Sequence, residues 1–266
     1  MRAWVLSENT GASDEFGSEH GLSLFIEACG RKILFDTGQS GLFIKNAEKL
    51  GIDVSQADIC VISHGHYDHG GGIKPLLDMN QKCRVYIKEK AFDNFYSDNR
   101  YIGLDKSLRK DPRMVFTSEH EEIEQGIRVF SGVKGRECFP IFNKNLHKEG
   151  DNDDFSHEQS LVITEGNKTA LFAGCAHNGI INIINRLKEL NGGIAPDYVI
   201  GGFHLSDRKT GKCEENATVK KIARFLAENG TKHYTCHCTG KKGYELLRGE
   251  LRDRLEYISA GQEINI

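Results

Sequence analysis

The stretch Ser63-His64-Gly65-His66-Tyr67-Asp68-His69-Gly70-Gly71-Gly72 restricts this chain more than any other. Three histidines and one aspartate fall within six positions, 64–69. Upstream, Asp58-Ile59-Cys60-Val61-Ile62 reads as a short buried strand, apolar and β-rich between polar ends. Downstream, Ile73-Lys74-Pro75-Leu76-Leu77 opens a helix. The imidazoles therefore belong to a strand-to-helix loop, where the backbone can turn several side chains toward one point. Imidazole is the commonest ligand of zinc and related divalent ions, and carboxylate oxygen completes such sites. Residues two apart in extended backbone point the same way. His64 and His66 are thus expected to grip one ion, and Asp68 and His69, beyond the turn, to face a second. A polar loop that is merely histidine-rich explains this spacing less well.

The rest of the chain supplies a frame for that loop. Residues 3–7 read as a strand, and Leu22–Glu27 with Lys32–Phe35 as a hairpin about Cys29-Gly30-Arg31. Leu42, Ile44, Ala47 and Leu50 give a helical stripe closed by Gly51. Further strands are predicted at 84–87, 127–130, 160–164, 169–173, 198–202, 232–235 and 255–258, and helices at 179–190, 217–228 and 242–251. Two stretches break the pattern. In 88–115, Phe92, Phe95, Tyr96 and Tyr101 are interleaved with charges; 134–156 is polar and ends in Asp151-Asn152-Asp153-Asp154. Both are expected to be insertions or flaps near the site of one domain spanning 1–266, the first partly helical, its aromatics serving local packing more than a substrate platform. Strands in runs flanked by helices imply two packed sheets with helices outside, an α/β (α+β) architecture.

Charge and composition narrow the partners. A net charge of -3 over 266 residues offers no electrostatic case for nucleic acid or an acidic membrane surface. No apolar run has the length that spans a bilayer, and the N-terminus lacks the apolar core of a signal peptide. Eight cysteines with no such leader suit reduced thiols in a cytoplasmic protein. Cys29, Cys60 and Cys83 read as small core residues.

The H-x-H-x-D-H pattern resembles the metallo-β-lactamase superfamily, and the likeness runs in order along most of the chain. Ile33-Leu34-Phe35-Asp36-Thr37-Gly38 is similar to that family's upstream strand ending in aspartate. Leu171-Phe172-Ala173-Gly174-Cys175 is similar to the strand that ends in its bridging ligand, and His237 in Cys236-His237-Cys238-Thr239-Gly240 to its last histidine. The resemblance implies an αββα sandwich of two mixed sheets with helices on the outer faces. It also implies a metal set of His64, His66, Asp68, His69, His157, Cys175 and His237. His157 stands where a strand begins, at the position of the family's third ligand motif. Cys175 replaces the usual bridging aspartate, and thiolate favours zinc or iron over magnesium or calcium.

Other residues follow from their own placement. Asp36, at a strand end before a glycine turn, is expected to hold the metal loop by accepting its hydrogen bonds. Gly174–Gly179, just before a helix, is a candidate cradle for a phosphate or carboxylate, with His177 orienting substrate or moving a proton. His204, at the strand end Gly201-Gly202-Phe203-His204, is expected to transfer protons. Cys236 and Cys238 should point away from the metal if the backbone is extended. His20, His120 and His233 are read as structural, and His147 as within reach of a substrate.

Two divalent ions, zinc foremost with iron or manganese as alternatives, would then activate a hydroxide against a phosphoester or a related ester or lactone of a small anionic substrate. Asp68 would ligate and orient the nucleophile. A transferase is the second expectation. The Gly-Leu-Ser near residue 21 and the motifs G-C-A-H-N-G, G-G-F-H-L and H-C-T-G resemble the branch containing 7,8-dihydropterin-6-methyl-4-(β-D-ribofuranosyl)aminobenzene 5'-phosphate synthase, in which the metals would bind a diphosphate leaving group. The third is a non-catalytic metal or redox protein. Diiron relatives carry H-x-E-x-D-H, and here His66 stands in place of the glutamate.

Overall fold

The computed structural model describes residues 1–228 and 230–266. One seven-stranded sheet runs, in spatial order, through Glu263–Asn265, Arg2–Ser7, Ser23–Ala28, Arg31–Phe35, Ile59–Val61, Arg84–Ile87 and Met114–Phe116. The first four strands are antiparallel neighbours, and from Arg31–Phe35 onward the neighbours are parallel. A second seven-stranded sheet runs through Leu255–Tyr257, Lys232–Thr235, Tyr198–Gly201, Lys168–Ala173, Ser160–Glu165, Ile127–Phe130 and His120–Glu124. Its first four strands are parallel and the rest antiparallel.

Side-chain alternation stacks these sheets. Val5, Leu24, Ile26, Ile33 and Phe35 of the first meet Leu161, Ile163, Ala170 and Phe172 of the second in one buried cluster. Phe35 and Phe172 touch across it, with ring centroids 5.9 Å apart. The alternate residues Trp4, Leu6, Phe25 and Leu34 pack outward against Phe43, Ala47, Ile73 and Leu76, from helices Leu42–Lys49 and Ile73–Met79. On the other side Val162, Leu171 and Val199 pack under helices Ile180–Leu190, Asn216–Glu228 and Gly240–Leu251. Strands covered on both faces read as nearly continuous apolar runs, which is why they stood out in the sequence. The architecture is the αββα sandwich. Among the described residues no helix is long and apolar enough to cross a membrane.

Three strands of the two large sheets were not expected, nor were the four of a small third sheet. Met114–Phe116, His120–Glu124 and Glu263–Asn265 are sheet edges; the first is apolar but only three residues long, and the other two are mostly polar, so none carries a strand pattern of useful length. The two irregular stretches also meet. Phe95–Ser97 pairs with Leu146–Lys148, flanked by Arg100–Tyr101 and Asp151–Asn152, in a four-stranded sheet of its own. Phe95, Ile102, Leu146 and Phe155 form its buried side, with Tyr67 and Phe139 packed against it. The 88–115 stretch holds only short 3-10 turns besides its strands, and Phe92 and Phe95 are buried packing residues.

The parallel strands matter for function. Ligands of α/β sheets gather outside the carboxyl ends of such strands. Here the loops after residues 35, 61, 173, 201 and 235 leave both sheets at one edge and interlock. Gly202 N–H bonds Gly174 O at 2.9 Å, Thr37 N–H bonds His69 O at 2.7 Å, and Ser206 N–H bonds Cys238 O at 3.1 Å.

Candidate metal centre

Asp36 ends its strand in the left-handed region, φ 58°. That turn aims its buried carboxylate at the next loop, where it accepts hydrogen bonds from Ser63 N–H and the Ser63 hydroxyl, both at 2.7 Å, and pairs with His69 Nδ1 at 2.6 Å. With Nδ1–H facing a carboxylate, His69 Nε2 is the nitrogen left for the centre. Burial alone would depress the His69 pKa. The Asp36 charge and hydrogen bond, with Asp68 beside them, outweigh it and hold His69 at about 9.

A mixed group of ligand atoms surrounds His69 Nε2. Cys175 Sγ lies 3.1 Å away and His237 Nε2 3.3 Å away. Asp68 Oδ2 is 3.9 Å from His69 Nε2, 3.4 Å from His237 Nε2 and 3.2 Å from His20 Nε2. His237 is held from behind: Asn9 Oδ1 meets its Nδ1 at 2.9 Å, and its backbone N–H donates to Glu8 Oε1 at 2.6 Å. Glu8 also accepts the Tyr257 hydroxyl at 2.9 Å.

Beside this group His64, His66 and His177 form a second one. Their ligand atoms lie within 4.8 Å of one another, all buried, and the Nε2 of each has no hydrogen-bond partner among the described residues. The other nitrogens are spoken for in two of them. His64 Nδ1 is 2.8 Å from the Ser63 hydroxyl, and His177 Nδ1 is 3.0 Å from Asn143 Oδ1, while Asn143 Nδ2 donates to His177 O at 2.7 Å. Phe155 stacks on the His177 ring at 4.7 Å, the planes 4° apart. Burial, then the neighbouring histidines, hold His64 and His177 well below the usual imidazole value, so both are neutral with a free lone pair. Cys175 Sγ also groups with His64 and His69 within 4.8 Å, which sets the sulfur between the two groups. Three buried imidazole nitrogens aimed into one gap without partners fit a divalent cation with nitrogen ligands, since polar atoms so buried are otherwise satisfied by the protein.

Several expectations need correction. His157 groups with His66 and Asp153, their ligand atoms within 4.8 Å of one another, and not with His64 and His177. Its Nδ1 accepts from Gly65 N–H at 2.9 Å, and its Nε2 faces Asp153 Oδ2 at 3.0 Å. His177, expected to handle substrate or protons, is the histidine that groups with His64 and His66. The Gly174–Gly179 cradle is filled from within: Glu158 accepts from His177 N–H at 2.6 Å and Asn178 N–H at 2.9 Å. Cys236 is a core residue, as expected. Cys238 is turned inward, because His237–Thr239 is a 3-10 turn with His237 at φ 51° rather than extended chain. His204 stands next to His177, ring centroids 4.3 Å apart, with neither ring nitrogen in an aligned hydrogen bond. His147 lies in the small sheet between Tyr96 and Asn152, outside both groups. His120 is on an edge strand, and His233 is buried in a central strand, where desolvation lowers it to about 4.

Sequence reasoning missed His20, Asn143, Asn9 and Glu8. All lie in polar loops. A trace existed only for His20: Gly21 has φ 152° and no room for a Cβ against Asp68 O, so the glycine after it marks a close approach to the metal loop.

The chain resembles known proteins in sequence and in fold. A model of the metallo-β-lactamase superfamily matches residues 17–141. An uncharacterised protein of Methanocaldococcus jannaschii is 32% identical over 91% of this chain and 92% of its own length. The 7,8-dihydropterin-6-methyl-4-(β-D-ribofuranosyl)-aminobenzene-5'-phosphate synthase of the same organism is 26% identical over 99% of this chain and 96% of its own. A crystal structure described as a metal-dependent hydrolase of the β-lactamase superfamily superposes with a TM-score of 0.84 at 30% identity, covering 100% of this chain and 99% of that one.

Proposed function

The chain belongs to the metallo-β-lactamase superfamily, and from that premise we propose that it is a metal-dependent hydrolase of a small anionic ester, a phosphoester or a lactone being the first classes to try. The observation that carries this reading is the pair of adjoining ligand groups, one of three unpartnered imidazole nitrogens and one of carboxylate and imidazole, with a thiol between them. His64, His66 and His177 would hold one cation; Asp68, His69 and His237 would hold another; Cys175 would reach both. Bound divalent ions at such a pair act as Lewis acids and bring a water molecule's pKa toward neutrality.

The chain's own residues supply orientation. Asp36 and Asn143 fix the rings of His69 and His177 through their Nδ1 atoms, and Asn9 does the same for His237. Each such bond keeps Nε2 pointing inward. Asp68 and His20, paired at 3.2 Å on the open side of His237, are placed to accept a proton from, or donate one to, a group bound there. The test is turnover of chromogenic phosphodiesters and lactones by zinc-loaded protein, with the His64→Ala protein as reference. Turnover that disappears in the variant supports the reading, and none with any substrate at full metal loading overturns it.

A second reading has one specific support, the synthase relative that spans nearly the whole chain. Under it the same residues would hold a dihydropterin diphosphate. Condensation with the aminobenzene ribotide, without ester hydrolysis, would favour it.

A further inference from the structure

We infer that Cys175, His204 and Cys238 form a third cation position, selective for soft metals, that shares the Cys175 sulfur with the two groups already described. The three ligand atoms lie within 4.8 Å of one another, and the two sulfurs are buried. This position goes beyond the hydrolase reading and does not depend on it.

Three independent features build it. First, the backbone is shaped for it. His204 and His237 take left-handed conformations, φ 48° and φ 51°, which cost energy in residues other than glycine and persist only where the surroundings impose them. The first swings the His204 ring inward and the second brings Cys238 round to face it. Second, the sulfur has a reserved place. A Cβ on Gly202 would collide with Cys238 Sγ, so the chain leaves that position bare beside the thiol. The His204 backbone N–H points at Cys238 Sγ from 3.3 Å, and the thiol donates to the Cys175 backbone O at 3.5 Å. Third, both ring nitrogens of His204 are buried without an aligned partner, a state that a cation would relieve.

The donor set determines the class of ligand. Two sulfurs and one imidazole suit zinc, cadmium, iron or cuprous copper, and disfavour magnesium, calcium and manganese. Both cysteines would enter as thiolates, each releasing its proton to solvent as the metal binds. A ring nitrogen of His204 that holds a cation is lost to proton transfer, so this assignment replaces the catalytic role expected for that residue.

Cadmium is the probe. The intact protein is titrated with Cd2+, and the ultraviolet sulfur-to-cadmium charge-transfer band is measured per mole of protein. Cys238→Ser should lower the site's band by roughly half, since one of its two thiolate bonds is lost. His204→Gln should keep both sulfurs but remove a direct ligand, so cadmium retention should weaken by more than about a hundredfold, beyond the range seen for groups that only orient a ligand. X-ray absorption of cadmium-loaded wild type should show two sulfurs on one ion, a measurement that stands even if a variant fails to fold. A band unchanged in Cys238→Ser, or one sulfur at most per cadmium in wild type, overturns the inference. His64→Ala should keep the part of the band that Cys238→Ser removes while abolishing hydrolysis, so failure of this site and failure of the hydrolase reading are told apart.

Discussion

In the pocket of His64, His66 and His177 every inward nitrogen lacks a partner, whereas around His69 and His237 the polar atoms already bond one another. Among the described residues the first pocket offers its inward nitrogens only the Asp153 carboxylate, 3.9 Å from His66 Nε2, so a cation there relieves a desolvation cost. The second can close on itself through Asp68 and protonated histidine, so a cation must displace protons and hydrogen bonds. Both lie at one edge of one sandwich and use the same ligand types. Their difference teaches that ligand identity alone does not set affinity; the partners each ligand finds within the protein do so as well.

The sharpest break of this contrast is His177→Ala. Losing one of three imidazoles should cost a third of a binding energy of about 12 kcal/mol, so the tightest zinc should weaken by roughly 1,000-fold. Isothermal titration measures it, and tight zinc retained in the variant would remove His177 from the site. Next comes pH. His69 is held at about 9, its contested proton on Nε2 because Nδ1–H faces Asp36. Below pH 9 that proton competes with metal, so the weaker zinc should lose about tenfold affinity per unit from pH 9 to 7. In Cys175→Ala, where no shared thiol proton is released to either ion, the tighter zinc should not change over this range, since His64, His66 and His177 all lie below the usual imidazole value. Equal pH slopes for the two zincs would erase the distinction.

Smaller effects separate the supports. Asn143→Ala should weaken the tight zinc alone, and Asp36→Asn chiefly the weak zinc, with a smaller effect on the tight one through Ser63 and His64, the main effect in each being about 10–100-fold, as the loss of a group orienting a ligand does. A variant that weakens both equally would mean the pockets are not independent. His157→Ala should leave zinc content intact and lower stability by about 1–3 kcal/mol, because Gly65 N–H and Asp153 lose their partner. Thermal unfolding with metal analysis checks it, and loss of zinc would restore His157 as a ligand. The least effect is expected from His20→Ala, a few-fold weakening of the weak zinc through the lost contact to Asp68.

Legibility followed sequence distance. The loop 63–72 was readable because its ligands are neighbours between a strand and a helix, and strand and helix periods set their directions. Asp36 was readable for the same reason, standing where an apolar run meets a glycine turn. His157 and His177 were not. They lie 20 residues apart around one hairpin and look alike in the sequence; the choice between them rests on Asp153, Asn143 and Phe155, which belong to a polar stretch without periodicity.

The order of apolar runs, the turn residues and the close-spaced ligand loop determined the two-sheet sandwich and the presence of a metal edge, since burial of alternating strands and ligand geometry over six positions are local matters. Which distant side chains face that edge was decided only by tertiary structure. Ala176, His204 and His237 sit in left-handed turns, and a small rotation at any of them points a ring toward the cation or away from it. Contacts from loops far along the chain select between the two, and no pattern near those residues carries that choice.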